Sequence, residues 1–111
     1  MAVGSDGILI GCGQIKPHAD GSRELASIAV QEQARGQGVA RAVIEELLEL
    51  EPERPLFLMC RTRLSPFYIK WGFHPVVTAE MPPTFRNISR LERIINSKAQ
   101  PEARLLVMRL D

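Results

Sequence analysis

Gln33-Ala34-Arg35-Gly36-Gln37-Gly38 is the stretch that decides the fold, because it joins a strand-like apolar run to a helix-like one. The strand-like run covers residues 25–30, and the helix-like run begins at Val39. Glycine has no Cβ, so its amide can approach a phosphate closely and its φ can be positive. The first turn of a helix has N–H groups without intrahelical partners and favours negative charge. The order of strand, glycine turn and helix therefore predicts an anion-binding turn, with a pyrophosphate as its natural ligand.

Three phosphate-binding patterns can be compared with this turn. A Walker loop needs Lys and then Ser or Thr after its last glycine, where this chain has Val39-Ala40. A dinucleotide fingerprint needs a small residue at position 41, which is Arg41, and more strand–helix units than 111 residues hold. The pattern Gln/Arg-x-x-Gly-x-Gly/Ala is satisfied by Gln33, Gly36 and Gly38. A turn of this kind can also bind nothing, so these six residues alone leave two interpretations open.

A second motif follows downstream and extends the pattern. Tyr68-Ile69-Lys70-Trp71-Gly72-Phe73 has the form Tyr-x-x-x-Gly-Phe, and the strand before the glycine turn reads Glu24-Leu25-Ala26-Ser27-Ile28-Ala29-Val30. With these motifs in this order, residues 7–77 resemble the GNAT superfamily of acetyl-CoA-dependent N-acetyltransferases. The resemblance implies an α/β fold with a mixed, mostly antiparallel sheet that contains a splayed parallel strand pair and is flanked by helices. It also implies a single domain over residues 1–111.

The resemblance implies the chemistry and its residues as well. Acetyl-CoA would donate an acetyl group to a primary amine of a small molecule or peptide, without a metal. Glu24 is the expected general base, and Tyr68 is the expected acid that protonates the thiolate. The expected coenzyme contacts lie on the strand end, the turn, the following helix and the short helix of the second motif: Ile28, Ala29, Val30, Gln33, Arg35, Gly36, Gln37, Gly38, Val39, Ala40, Arg41, Ser65, Phe67 and Tyr68.

Each of these roles has a structural alternative. Glu24 can be a solvated strand-edge carboxylate or a partner of Arg23 or Arg61, and Tyr68 can pack against the coenzyme or the core. The family often has an asparagine after the next strand, but residues 61–65 contain none, and Ser65 is the candidate replacement. His18 and His74 lie beside a turn and a strand start, where histidines are usually solvated or structural.

Composition limits the partners and the compartment. The formal net charge is +1 and only 5% of residues are aromatic, which argues against nucleic acid as a partner. No apolar run is long enough to span a bilayer, so no membrane partner is expected. Cys12 and Cys60 lie in apolar strand-like runs without metal-ligand spacing. These features predict a reduced, cytoplasmic protein.

Hydrophobic periodicity and turn residues predict the elements. Strands are expected at residues 8–16, 23–30, 56–62, 73–79 and 104–110, and helices at 39–50, 65–71 and 88–97. The strands at 23–30 and 56–62 should be parallel neighbours, because a helix crossover joins them. Ser65 is predicted to cap its helix, and Gly11 and Gly13 suggest a bulge or a close backbone approach.

The start of the chain motivates a further prediction. Family members usually have a strand and two helices before the first hairpin, which here begins almost at Met1. Residues 81–98 are long for a hairpin connection, and Ile88, Leu91, Ile94 and Ile95 recur at helical spacing. We therefore predict that this segment replaces the missing wall of the acceptor cleft and that the protein is a homodimer. The alternative to an enzyme is a non-catalytic module of the same fold that binds coenzyme A or a protein.

Overall fold

The computed structural model describes residues 2–3, 9–30, 36 and 38–111 of the 111-residue chain. These residues form strands and α-helices joined by short 3₁₀ turns. The elements are β1 (Ala2–Val3), β2 (Leu9–Pro17), β3 (Arg23–Val30), α1 (Val39–Leu50), β4 (Leu56–Arg61), α2 (Ser65–Ile69), β5 (His74–Pro75), α3 (Pro83–Ile95) and β6 (Leu105–Leu110). The 3₁₀ turns are Thr62–Leu64, Thr78–Glu80 and Pro101–Ala103.

Backbone hydrogen bonds order the strands of the sheet as β1-β2-β3-β4-β6-β5. The pairs β1/β2, β4/β6 and β5/β6 are antiparallel. β3 and β4 are parallel, with Glu24 opposite Phe57. The predicted fold class and the predicted parallel pair are therefore confirmed, while the splaying of that pair at its carboxyl ends stays a prediction.

The chain divides into two compact units. The first comprises Met1–Lys16 and Leu25–Glu53, and the second comprises Pro17–Glu24 and Arg54–Asp111. Each unit has its own small apolar core, described separately below. The single domain over residues 1–111 remains a prediction.

The first unit is built around one face of α1. Val39 and Val43 are buried, and Leu47 and Ile28 of β3 pack against them. The spacing of four residues from 39 to 43 to 47 places these side chains on one side of the helix. α1 begins and ends where its apolar periodicity predicts, and Pro52 follows its last residue at the point where a helix cannot continue.

Gly13 of β2 lies directly beneath this face. A Cβ built there would lie 3.0 Å from the Leu47 δ-methyl and 3.0 Å from a Val43 methyl, and closer still to the Ile28 δ-methyl. The close backbone approach predicted for this glycine is therefore confirmed. The absence of a side chain at position 13 is what lets β2 and α1 pack at this distance.

We expect Gly13→Val to lower the free energy of unfolding by about 1–3 kcal/mol, because the new methyl groups overpack a closed site. Urea unfolding followed by circular dichroism measures the loss. Lys16→Val places the same side chain at an exposed position of the same strand and should change stability by less than about 0.5 kcal/mol. Equal effects of the two substitutions would contradict the packing described here.

The second unit is held by the β4–β6 ladder and by α3. Every residue of β4 has a partner in β6, from Leu56 opposite Leu110 to Arg61 opposite Leu105. On one side of the ladder a buried cluster consists of Phe57, Val76, Met81, Phe85 and Val107, with Met59 packed against it. The Phe57 and Phe85 rings stack with centroids 5.2 Å apart, which ties α3 to β4.

Two predicted boundaries in this unit are wrong. The strand expected at 73–79 is only His74–Pro75, because the chain turns into the 3₁₀ segment Thr78–Glu80 after Val77. The helix expected to begin at residue 88 begins at Pro83, where a proline is tolerated because its missing N–H would have no helical acceptor. The apolar residues at helical spacing occur only at positions 88–95, so they predicted only the carboxyl half of this helix.

The carboxyl half of α3 has an apolar stripe that the described residues leave largely uncovered. Leu91, Ile94 and Ile95 are exposed by 57%, 76% and 67%. Phe85 is the helix residue that is fully buried. The predicted amphipathic pattern is present, but its second half does not enter the core of this unit.

Candidate active site

The turn before α1 has the backbone that the sequence predicts. Gly36 and Gly38 have φ of 82° and 75°, the left-handed region that residues with a Cβ rarely adopt. Apart from each glycine's chain neighbours, no atom of the residues that the structure describes lies within 4 Å of a Cβ built on either glycine. Gln33, Arg35 and Gln37 lie outside the described residues.

The amino end of α1 is available to an anion. The first intrahelical bond of this turn runs from the Ala42 amide to the Gly38 carbonyl, so the amides of Val39, Ala40 and Arg41 precede the helical ladder. No side chain in the described part of the chain caps this end, and the first turn contains no acidic residue. Uncapped amides and the positive end of the helix dipole together favour a phosphate at this position.

The other predicted coenzyme contacts of this unit differ in how far their side chains are buried. The Ile28 side chain belongs to the core under α1, so it would contribute only its backbone, whereas Ala29 is exposed and Val30 ends β3. The exposed Arg41 donates from Nε to Glu45 at 3.0 Å. Exposed ion pairs of this kind are worth less than about 1 kcal/mol, so this one does not prevent Arg41 from turning to a phosphate.

Ser65 is the first residue of α2 and does not cap it, which corrects the sequence prediction. Leu64 occupies the cap position with helical angles, φ −91° and ψ −7°. The reason is that the 3₁₀ turn Thr62–Leu64 runs directly into the helix, and the Ser65 amide already bonds to the Thr62 carbonyl. Its hydroxyl is therefore not needed as a cap.

Tyr68 is half-buried in a group of aromatic rings. Its ring meets Phe67 edge-on at 5.2 Å and Phe73 at 6.2 Å between centroids. Burial, and secondarily the neighbouring Cys60, raises the pKa of Tyr68 above its ordinary value of 10.0. The phenol therefore keeps its proton at neutral pH, as a general acid must. Cys60 is itself buried, and burial raises the pKa of its thiol.

Glu24 is buried and already has a partner, which the sequence reasoning missed. Its residue is 7% exposed, and its Oε1 lies 2.7 Å from Nε2 of His18. A solvated carboxylate does not describe this arrangement, because Glu24 is buried against His18. The two residues are six apart and meet because the β2–β3 turn folds back, with the His18 amide bonded to the Ser22 carbonyl at 2.9 Å.

The same turn is attached to the start of α3. The Thr84 amide donates to Oδ2 of Asp20 at 2.9 Å, and the His18 ring meets the Phe85 ring edge-on at 5.3 Å. Hydrogen bonds from the Ser22 hydroxyl and from the Thr84 and Ser22 amides hold the pKa of Asp20 well below its usual range. Asp20 thus remains a carboxylate and fixes the turn that carries His18.

Two further polar side chains of the second unit, His74 and Arg61, bind partners outside the predicted site. His74 pairs with Asp111 at 3.1 Å, and Arg61 donates to the Ala103 carbonyl at 3.1 Å. A cavity of about 440 Å³ lies between the Thr78–Glu80 turn, α3 and β6, and none of the predicted site residues lines it. Among the described residues, no group of His, Cys, Asp and Glu side chains could hold a metal ion, and no helix is long and apolar enough to cross a membrane.

Comparison with known proteins decides the family. A model of the acetyltransferase (GNAT) domain matches residues 2–75, which include the glycine turn and the Tyr68–Phe73 motif. The chain belongs to the GNAT acetyltransferases. No curated protein matches its sequence.

Solved GNAT structures resemble the chain along most of its length. N-acetylglutamate synthase from Neisseria gonorrhoeae, complexed with coenzyme A and N-acetyl-glutamate, is 26% identical with a TM-score of 0.69, over 96% of this chain and 24% of the synthase. Rv2747 from Mycobacterium tuberculosis, in a complex that includes CoA, is 20% identical with a TM-score of 0.70, over 98% and 72%. Escherichia coli ElaA is 19% identical with a TM-score of 0.67, over 97% and 64%.

This GNAT chain spans about a quarter of the synthase and less than two thirds of ElaA. Two of these structural neighbours, the synthase and Rv2747, were solved in complexes that contain coenzyme A. The amine that accepts the acetyl group is not identified by these comparisons.

Proposed function

We propose that this GNAT protein transfers an acetyl group from acetyl-CoA to the primary amine of a small molecule or peptide. The observation that carries the proposal is the open turn at Gly36 and Gly38, in the left-handed conformation, at the uncapped amino end of α1. The family match over residues 2–75 and the coenzyme complexes of its structural neighbours support acetyl-CoA as the ligand of this turn.

The coenzyme would be held mainly by backbone. Its pyrophosphate would accept hydrogen bonds from the amides between Arg35 and Ala40, and its pantetheine arm would pair with the strand edge at residues 28–30, as an added strand does. The side chains of Gln33, Arg35, Gln37 and Arg41 would surround the phosphates. In the second unit, Ser65, Phe67 and Tyr68 are the proposed contacts.

In the proposed reaction, Glu24 and Tyr68 each carry out one proton transfer. Glu24 takes a proton from the protonated acceptor amine, so that the nitrogen lone pair can attack the thioester carbon. The carbon–sulfur bond then breaks, and Tyr68 gives its proton to the thiolate of coenzyme A. The second proton, which the acylated nitrogen loses to solvent, is balanced by the proton that Tyr68 takes back from solvent. The raised pKa of Tyr68 suits the second step, because the phenol is protonated before the reaction begins.

A screen of amines tests the proposal. The full chain is mixed with acetyl-CoA and with L-glutamate, L-lysine, spermidine, D-glucosamine or a peptide with a free amino terminus, and thiol release is followed. L-glutamate is included because one similar structure is an N-acetylglutamate synthase. We expect amine-dependent release with at least one of these probes. Calorimetric binding of coenzyme A without any release would favour the alternative, a non-catalytic module.

A homodimer is the second part of the proposal, and the exposed stripe of α3 supports it. Leu91→Asp should convert a dimer of twice the 12.4 kDa chain mass into a monomer, as measured by light scattering. Unfolding is not expected, because Leu91 is already 57% exposed. Leu50→Asp changes a leucine of α1 that is 67% exposed and should leave the mass unchanged. A monomeric wild-type protein at micromolar concentration would contradict the dimer.

The remaining predictions concern surroundings and partners. A cytoplasmic location and the absence of nucleic-acid and membrane partners are part of the proposal and rest on composition.

If the α3 segment forms a wall of the acceptor cleft, Leu91→Asp should also raise the KM for the amine more than the KM for acetyl-CoA.

A further inference from the structure

His18 and Glu24 form a polar pair of low exposure at the β2–β3 turn. The two side chains are 13% and 9% exposed, and Nε2 of His18 lies 2.7 Å from Oε1 of Glu24. Histidines beside a turn are usually solvated, and a buried carboxylate is costly unless it is hydrogen-bonded. The geometry therefore supplies Glu24 with a donor that the strand itself does not provide.

The pair is fixed by its surroundings. The His18 ring meets the edge of Phe85, which stacks on Phe57, and Phe57 lies opposite Glu24 in the β3–β4 register. The Gly21 amide bonds to the His18 carbonyl at 3.0 Å and closes the turn. These contacts hold both members of the pair through the same apolar cluster.

Charged groups near the pair are engaged with other partners. Asp20 in the turn accepts hydrogen bonds from Ser22 and Thr84, and Arg86 in the first turns of α3 donates to the Met81 carbonyl at 2.9 Å. The rings of Phe57 and Phe85 are apolar. His18, with Nε2 at 2.7 Å from Oε1, is thus placed to orient the Glu24 carboxylate.

We propose that His18 is a positioning residue for Glu24, an inference that rests on the proposed function of Glu24 as general base. Nε2–H of His18 donates to Oε1, which fixes the carboxylate and leaves Oε2 to receive the proton. An N–H bond of the ammonium breaks, its electron pair stays on nitrogen, and the proton goes to Oε2 directly or through one water. Glu24 later releases this proton to solvent, and His18 keeps its own proton throughout.

Two substitutions separate the hydrogen bond from the packing. His18→Phe keeps a ring against Phe85 but removes the donor, whereas His18→Gln keeps an N–H donor and removes the ring. With acetyl-CoA and the amine that the wild-type protein acetylates fastest, we expect His18→Phe to lower kcat at least tenfold. Its KM for acetyl-CoA should change less than twofold, and His18→Gln should stay within threefold of the wild-type kcat. His74→Phe is the matched control, because it removes a histidine that pairs with Asp111 instead.

A double variant tests whether His18 acts through Glu24. His18→Phe combined with Glu24→Gln should be no slower than Glu24→Gln alone, because the orienting bond has no base left to orient. Additive losses, or His18→Gln as slow as His18→Phe, would overturn the inference while the proposed function stands. Wild-type protein that binds coenzyme A but acetylates no amine would overturn the proposed function and this role with it.

A spectroscopic measurement keeps the inference testable if His18→Phe fails to fold. Nitrogen-15 spectra of the wild-type chain with labelled histidines should show a proton on Nε2 of His18. Glu24→Gln identifies the signal, because it should perturb His18 and leave His74 unchanged. An Nε2 of His18 that has no proton in the wild-type protein would contradict the donor role.

Discussion

Tyr68→Phe should lower kcat for acetyl transfer about 100-fold, the scale of effect that a positioned general acid has. The substitution removes one hydroxyl and keeps the ring that contacts Phe67 and Phe73, so the KM for acetyl-CoA should change much less than kcat. Steady-state kinetics with saturating amine separate the two constants. Trp71→Phe alters an aromatic residue of the same motif without removing the proposed acid, and it should keep most of the wild-type rate.

The pH dependence gives the same prediction an independent test. A general acid acts only while it is protonated, and burial raises the pKa of Tyr68 above 10.0. The wild-type rate should therefore fall at alkaline pH, as the pH rises through this raised pKa. Tyr68→Phe should lack this alkaline fall. A fall that persists unchanged in the variant would assign the acid role to another group.

Replacing Gly36 or Gly38 by valine should weaken coenzyme A binding at least tenfold, which corresponds to about 1.4 kcal/mol. Both glycines have positive φ, where a residue with a Cβ is strained by about 1–2 kcal/mol. The added side chain would also enter the open space in which we place the pyrophosphate. Titration calorimetry with coenzyme A measures the loss directly.

Gly21 provides a matched control for backbone strain. It has φ of 88° and also has no atom within 4 Å of a built Cβ, but it lies in the β2–β3 turn. Gly21→Val should reduce stability as the other two substitutions do and leave coenzyme affinity unchanged. If Gly36→Val and Gly38→Val both leave the affinity for coenzyme A unchanged, or if Gly21→Val lowers it equally, the placement of the pyrophosphate at this turn would be wrong.

The glycine turn and its flanking elements could be predicted from sequence because their signals are local. β3 and α1 occupy the residues that apolar periodicity assigns to them, and Gly36 and Gly38 have the positive φ that suits such a turn. The parallel pairing of β3 with β4 follows from the crossover helix between them. None of these inferences needs a contact between residues distant in the chain.

The errors occurred where local signals compete with tertiary packing. Residues 73–79 have the composition of a strand, but pairing with β6 extends only over His74–Pro75 before the chain turns toward α3. Ser65 and Pro66 form a typical helix start, yet the preceding 3₁₀ turn supplies the backbone acceptor and makes the serine cap unnecessary. Each outcome depends on the path of a neighbouring segment, which spacing along the chain does not encode.

The His18–Glu24 pair belongs to the same class of unpredicted features. Its formation requires the register of the β2–β3 turn and the support of Phe85, a residue more than sixty positions away. A histidine beside an Asp-Gly turn is usually solvated, and here it is the partner of the proposed general base. The structure therefore changes the interpretation of Glu24 from an isolated strand carboxylate to one member of a fixed pair.

The most direct test of the central claim follows the acetyl group itself. The full chain is incubated with carbonyl-labelled [¹³C]acetyl-CoA and the amine that gives the fastest thiol release, and the products are identified by mass spectrometry. The account predicts that the label appears in the N-acetylated amine in amounts equal to the free coenzyme A formed, and that Tyr68→Phe lowers both together. Label found only in acetate, or coenzyme A bound without any transfer to an amine, would contradict it.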